Sequence, residues 1–239
     1  MATWVTHLII ADNILQHYPQ LHRRGFCIGN IAPDCNIENE DWTAFTPPRE
    51  VTHWMHDSGK TISGCEDFRE AYIETHTPRD YRVESYAFLL GYYSHLLTDV
   101  AFQQFIRDEI RVKNAWKRLK SSSVLSDLKI TYPEDWDSLK KIIPKDVRMG
   151  EIYSMEAEYL QEHPNSGFFT EVLSLNTFPD YIDYLPAGCI ARKIRIMGHL
   201  PKTDNQYSQP ISLSKDEFHS FIRTTTHLVL SKLAENHLI

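Results

Sequence analysis

The feature that most constrains this chain is the stretch from about Tyr81 to Lys120, the longest run that keeps a helical period. On an α-helical projection Glu84, Phe88, Gly91, Tyr92, His95, Asp99, Phe102 and Ile106 share one arc, roughly 120° wide. A stripe of that kind needs other helices to cover it, and the rest of the sequence offers them. Trp4 to Tyr18 puts Trp4, His7, Ala11, Ile14, Leu15 and Tyr18 on one face, and Pro19 follows. Shorter apolar patterns start at Val51 and at Gly64. Asp146 to Glu162 predicts a helix closed by Pro164, and another begins near Ala187. Ser214 and Glu217 form the S-x-x-E capping box ahead of a stripe of Phe218, Phe221, Ile222, Val229 and Leu233. Gly25 to Glu50, with Pro33, Pro47 and Pro48, reads as loop, and the polar stretch Ser121 to Lys145 as an inserted excursion. Strand alternation is nearly absent. The expected fold is an all-α, multi-helical bundle, with residues 1–239 forming a single domain.

Charge and cysteine content narrow the function classes. Lys plus Arg is 25 and Asp plus Glu is 32, a net charge of −7 that gives no general pull towards nucleic acid or an anionic membrane. The basic run Arg111 to Arg118 reads as a solvated helix face, so no nucleic-acid partner is expected. Cys27, Cys35, Cys65 and Cys189 form no CxxC pair and read as reduced thiols, which suits a cytoplasmic protein. The first apolar run breaks at Asp12 and Asn13 and follows no basic segment, unlike a secretory signal. No apolar window is long enough for a transmembrane helix, which leaves peripheral membrane contact open. Neither a GxxxxGK[ST] loop nor a GxGxxG turn is present, which argues against phosphate-loop and dinucleotide enzymes.

Histidine is the outlier, at 12 of 239 residues. His95 and Asp99 are one helical turn apart on the apolar arc, so both side chains can reach one cation, and imidazole with carboxylate suits zinc. Burying that carboxylate is costly unless a cation or several donors compensate. The same spacing at His53/Asp57 and His76/Asp80 shows how common the bare pattern is, and a solvated ion pair also fits it. His7 lies on the apolar side of its helix and suits either a ligand or a core histidine. Asp34 follows Pro33, whose fixed φ would steer the carboxylate, although a turn or capping aspartate is equally consistent. His53 and His56 are three apart, and either could turn inward.

Taken in order, WVTHLIIA (Trp4 to Ala11), GNIAPD (Gly29 to Asp34), Thr52-His53-Trp54 and GYYSHLLTD (Gly91 to Asp99) resemble the zinc-dependent phospholipase C family. The likeness covers roughly the first 110 residues. It implies a helical fold with metal held between helices, and hydrolysis of small-molecule or lipid phosphoesters. Carried over residue by residue, Asp34, His53, His95 and Asp99 would ligate one zinc. Asp99 would bridge to another ion held by His7, and Asp34 would double as general base. Trp4 is preceded by three residues, whereas the toxin-like members begin at their tryptophan. No histidine follows Asp99 within VAFQQF, and no H-x-x-x-E pair occurs in the chain, so one or two zinc ions are implied rather than three. A His-Asp-type nucleotide phosphohydrolase is the alternative enzyme, built from His22 or His53, His56-Asp57 and Asp99. A non-catalytic helical scaffold or interaction protein is the alternative outside enzymes.

Overall fold

The computed structural model describes residues 2–57, 59–122, 132–201 and 210–239. The fold is all-α and multi-helical. Helices α1 (Trp4–His17) and α2 (Arg23–Gly29) lead through a 3₁₀ turn (Ala32–Asp34) to a two-stranded ribbon, β1 (Ile37–Glu38) with β2 (Phe45–Thr46). Then come α3 (Arg49–Thr52), α4 (Ile62–Phe68) running into a π turn (Arg69–Ile73), α5 (Glu84–Phe105), α6 (Glu109–Ser121) and α7 (Trp136–Ile142). The chain continues with α8 (Lys145–Glu162), a second π turn (Phe168–Val172), α9 (Cys189–Met197) and α10 (Lys215–Glu235). Among the described residues no helix is long and apolar enough to cross a membrane.

These elements group into two compact units. The first is Met1–Ala101 with Pro164–His199 and Thr224–Ile239, and the second is Phe102–His163 with Leu200–Arg223. In the second, Val112, Ala115, Trp116, Leu119, Leu139, Ile143 and Ile211 form a core of their own. The basic run is a solvated face only in part, at Lys113 and Lys117. Arg111 is buried, donates to the carbonyls of Phe105, Ile106 and Ser212, and lies over the Trp136 ring. Three carbonyl acceptors offset the desolvation of its guanidinium, a role that no periodicity reveals. Arg118 forks onto Glu217, while Lys113 stays exposed and pairs with Glu109 one turn back. The capping box forms as expected: Ser214 N donates to Glu217 and Glu217 N to Ser214 Oγ, at 2.9 and 3.3 Å. Residues 123–131 of the polar excursion lie outside the described residues, and α7 follows them.

In the first unit α1 is not a one-sided amphipathic helix. Val5, Leu8, Ile9 and Ile10 are buried together with the expected stripe, as they must be in a helix packed on nearly every side. The stretch from Gly25 onward is not all loop either, since α2 runs on to Gly29 from its N-cap His22, whose ring accepts from Gly25 N. Glycine is what lets α2 pass close to α5. A Cβ on Gly29 would stand 2.1 Å from the Phe88 carbonyl oxygen, and one on Gly91 would stand 2.2 Å from that of Phe26. Turn-forming residues in the sequence are thus contact points in the fold.

The ribbon is fixed to α9 by charge. Glu38 accepts from Arg192 at 2.7 Å and from Lys193, whose buried ammonium lies 5.0 Å from the centre of the Trp42 ring. The hydrogen bonds from Arg192 and then Lys193 bring the Glu38 carboxyl from 4.5 down to about 2, against the opposing effect of burial.

Two outcomes are expected. Gly91→Ala should lower stability by about 1–3 kcal/mol through overpacking, read as the urea midpoint, and an unchanged midpoint would contradict the close helix approach. A carboxyl depressed in the folded chain stabilises above its unfolded value and loses that contribution as pH falls through its folded value. The Glu38 contribution should therefore be complete above pH 4.5 and fade towards about pH 2. Glu38→Gln should reduce Tm at neutral pH and flatten the acid limb of a Tm–pH profile. Parallel limbs for the two proteins would refute the pairing.

Candidate metal centre

Four separated segments of the first unit meet at one buried point. Helix α5 delivers His95 and Asp99 from successive turns of the same face, both within 1% of full burial. Helix α1 delivers His7, whose ring stacks on that of His95 with centroids 3.8 Å apart and planes within 6°. The 3₁₀ turn brings up Asp34 directly after Pro33, and His53 caps the C-terminus of α3. His53 Nε2 is 3.3 Å from Asp34 Oδ1, 3.6 Å from Asp99 Oδ2 and 3.4 Å from His95 Nε2. His95 Nε2 and His7 Nε2 approach the two Asp99 oxygens at 3.5 and 3.7 Å. Ala2 N donates to Asp99 Oδ1 at 3.0 Å, so the backbone just before α1 also closes on this carboxylate.

The backs of the rings fix what their fronts offer. His95 Nδ1 is 2.8 Å from the carbonyl of Asn30, the residue that follows the Gly29–Gly91 crossing. His53 Nδ1 faces the Arg49 carbonyl at 3.2 Å and Thr52 Oγ1 at 2.9 Å. A nitrogen aimed at a carbonyl carries the proton, so in each ring the bare lone pair is on Nε2. The 3.4 Å contact between those two nitrogens therefore joins acceptor to acceptor and is no hydrogen bond. The carbonyl before His53 is itself pinned, because Trp54 Nε1 donates to Tyr184, Tyr184 to Tyr92, and Tyr92 Oη to Thr52 O. Trp54 takes a left-handed φ of 49°, strain of about 1–3 kcal/mol that this relay and the edge contacts with Phe68 and Tyr72 hold in place.

Electrostatics keep the cluster in the protonation state that a cation requires. Burial alone would raise the Asp99 carboxyl, but the charge of Lys60 beside it leads the opposing influences and holds Asp99 well below the usual range. Asp34 behaves likewise: burial raises it, and the stronger combined influence of His53 and His95 lowers it. Burial, reinforced by His95, pushes His7 far below an ordinary histidine, and burial lowers His53 despite Asp34. The result is neutral His7 and His53 rings beside ionised carboxylates.

That donor set fits zinc. His7, His95 and Asp99 form one group and Asp34, His53 and His95 another, and within each group the ligand atoms lie within 4.8 Å of one another. His7 gives the independent sign, for it is fully buried and neither ring nitrogen has a hydrogen-bond partner. A neutral imidazole held dry with nothing to bond is costly, and a cation would satisfy it.

The sequence did not single out Lys60. Its ammonium contacts Asp99 Oδ2, and the residue sits just ahead of Thr61, the N-cap of α4, where no helical or strand period marks it. Other candidates fall elsewhere. His56 pairs with Asp67 at 2.7 Å on the surface, Asp57 is exposed, and His22 caps α2, so of the residues of the His-Asp alternative His53 stands beside Asp99 and the His56-Asp57 pair does not.

Removing the carboxylate should expose how much depends on it. Asp99→Ala should cost about 3–5 kcal/mol, the scale of stripping one partner from a buried ion pair, measured by chemical denaturation in a chelator. A loss below about 1 kcal/mol, the scale of an exposed pair, would mean that Asp99 is not the centre of the cluster.

Residues 6–102 match the family model described as zinc dependent phospholipase C. No curated protein and no solved structure gave a significant match. The matched segment contains all of the converging candidate ligands, from His7 to Asp99. Residues 6–102 thus form a zinc-dependent phospholipase C-like domain carrying two candidate metal-binding clusters, consistent with that family at large.

Proposed function

We propose that this chain is a zinc-dependent phosphoester hydrolase of phospholipase C-like type, with residues 1–239 acting as one hydrolase domain. The observation that carries the reading is the convergence of the His53 and His95 Nε2 lone pairs with Asp34 and Asp99, inside the segment that matches the family. Asp34, His53, His95 and Asp99 would hold one zinc, and Asp99 with His7 a second. A third ion is not part of the proposal, because the chain lacks the H-x-x-x-E pair that would help to hold it.

Zinc in such a site supplies Lewis-acid polarisation of a phosphoryl oxygen and lowers the pKa of water to near neutrality. The chain's own residues do the remainder. The Asn30 carbonyl and the Arg49 carbonyl hold His95 and His53 in the tautomer that presents Nε2, so neither ring must reorient on loading. Asp34 is the carboxylate with side-chain exposure, 12%, while Asp99 has 1%. Water and substrate therefore meet the cluster on the Asp34 side. Its depressed pKa keeps Asp34 ionised, with an oxygen to orient the attacking water; as general base it would take the proton of a water that zinc has already acidified. The surrounding burial excludes bulk water and strengthens these interactions.

The substrate class is a small-molecule or lipid phosphoester. A lipid substrate would bring the protein to a membrane surface as a peripheral visitor. The cytoplasm is the compartment that suits the four unpaired cysteines, all of them buried.

Protein purified without chelators should carry one to two equivalents of zinc and hydrolyse a chromogenic phosphodiester. Chelation should abolish that activity and zinc should restore it. Asp34→Asn should lower kcat by about 10²–10⁴-fold, the span of general-base contributions, while the protein stays folded. Absence of stoichiometric divalent metal, or hydrolysis that survives chelation, would overturn the proposal.

A further inference from the structure

The unexpected member of the cluster is Lys60. Its ammonium lies against Asp99 Oδ2, the oxygen that also faces His53 Nε2 at 3.6 Å and His95 Nε2 at 3.5 Å. It is the one positively charged side chain among the described residues recorded in an ion pair with either carboxylate of the cluster. A divalent cation bridging Asp99 to those imidazoles needs the same oxygen. The lysine and the metal are competitors for one carboxylate.

Position makes the lysine a movable competitor. Asp99 is fixed within α5 and fully enclosed, whereas Lys60 belongs to the short connection between the His56–Gly59 bridge and α4, and its side chain keeps 11% exposure. Its stem has four rotatable carbons, and the ammonium can return to water if something else neutralises Asp99. Without either cation the carboxylate would be left buried with only neutral imidazoles and the Ala2 amide against it, an arrangement that folding penalises.

We infer that Lys60 is a tethered counter-cation of the metal centre: it neutralises Asp99 when no metal is bound and must be displaced for a divalent ion to enter, so it sets the metal affinity of the site. The inference rests on the zinc reading above and adds a device to it. The lysine stabilises the metal-free protein and weakens zinc binding by the same interaction, as linkage between two ligands of one state requires.

The test is zinc titration of the full-length protein against a chromogenic chelator, for wild type, Lys60→Met and Lys60→Gln, paired with Tm in chelator and in saturating zinc. The glutamine variant keeps a hydrogen-bond donor near Asp99 and removes the charge, so it reports even if the methionine variant folds poorly. Both should bind zinc at least about tenfold tighter than wild type, a factor equivalent to roughly 1.4 kcal/mol. Both should melt below wild type in chelator and level with it in zinc. Wild-type or weaker zinc affinity in the two variants would overturn the inference while leaving the zinc reading intact. Zinc binding by the variants alone would support the inference and overturn the zinc reading for the natural chain. Binding by none of the three would overturn both.

Discussion

The fold of the first unit is organised around one buried negative charge. Asp99 sits on α5 with almost no access to water, and a carboxylate in that position is tolerable only among cations or donors. A lysine ammonium and a backbone amide answer that demand directly, and three imidazoles drawn from segments far apart in sequence stand round the same carboxylate. The close crossing of α2 and α5 at Gly29 and Gly91 serves the same end, because it sets the Asn30 carbonyl behind His95. The tyrosine relay does so for His53 by holding the Thr52 carbonyl. Much of the architecture near the site acts to aim lone pairs.

Two kinds of order are at work. On the proposed reading, rings locked from behind are preorganised ligands that would bind a metal without the cost of arranging them. Lys60 is the opposite, a flexible side chain whose ammonium can give way. On the proposed reading, a rigid set of neutral donors and a mobile positive charge compete for a single carboxylate, so the metal-free and metal-bound states are both well-formed.

What could be read in the sequence was what periodicity records. The stripe on α5 put His95 and Asp99 on an inward face, and the structure buries both. The capping box marked the start of α10, and Pro164 the region after α8. Local sequence could raise Asp34 and His53 as candidates, but family resemblance alone assigned them as ligands, because each sits on a short element whose approach to α5 depends on tertiary contacts. Helix α2 was hidden because Gly25 and Gly29 look like turn residues until the neighbouring backbone is in place. Arg111 looked solvent-facing because a basic run carries no mark of the carbonyls awaiting one member of it. Lys60 left no trace at all: it belongs to a connection, and its partner lies 39 positions away.

The measurement that bears most directly on this account is anomalous scattering across the zinc edge from crystals grown without chelator. The account requires an anomalous peak bonded to His53 Nε2, His95 Nε2 and the Asp99 carboxylate at about 2.0–2.2 Å, with the Lys60 ammonium moved off that oxygen. A zinc-soaked crystal with no peak there, and Lys60 still seated on Asp99, would contradict it.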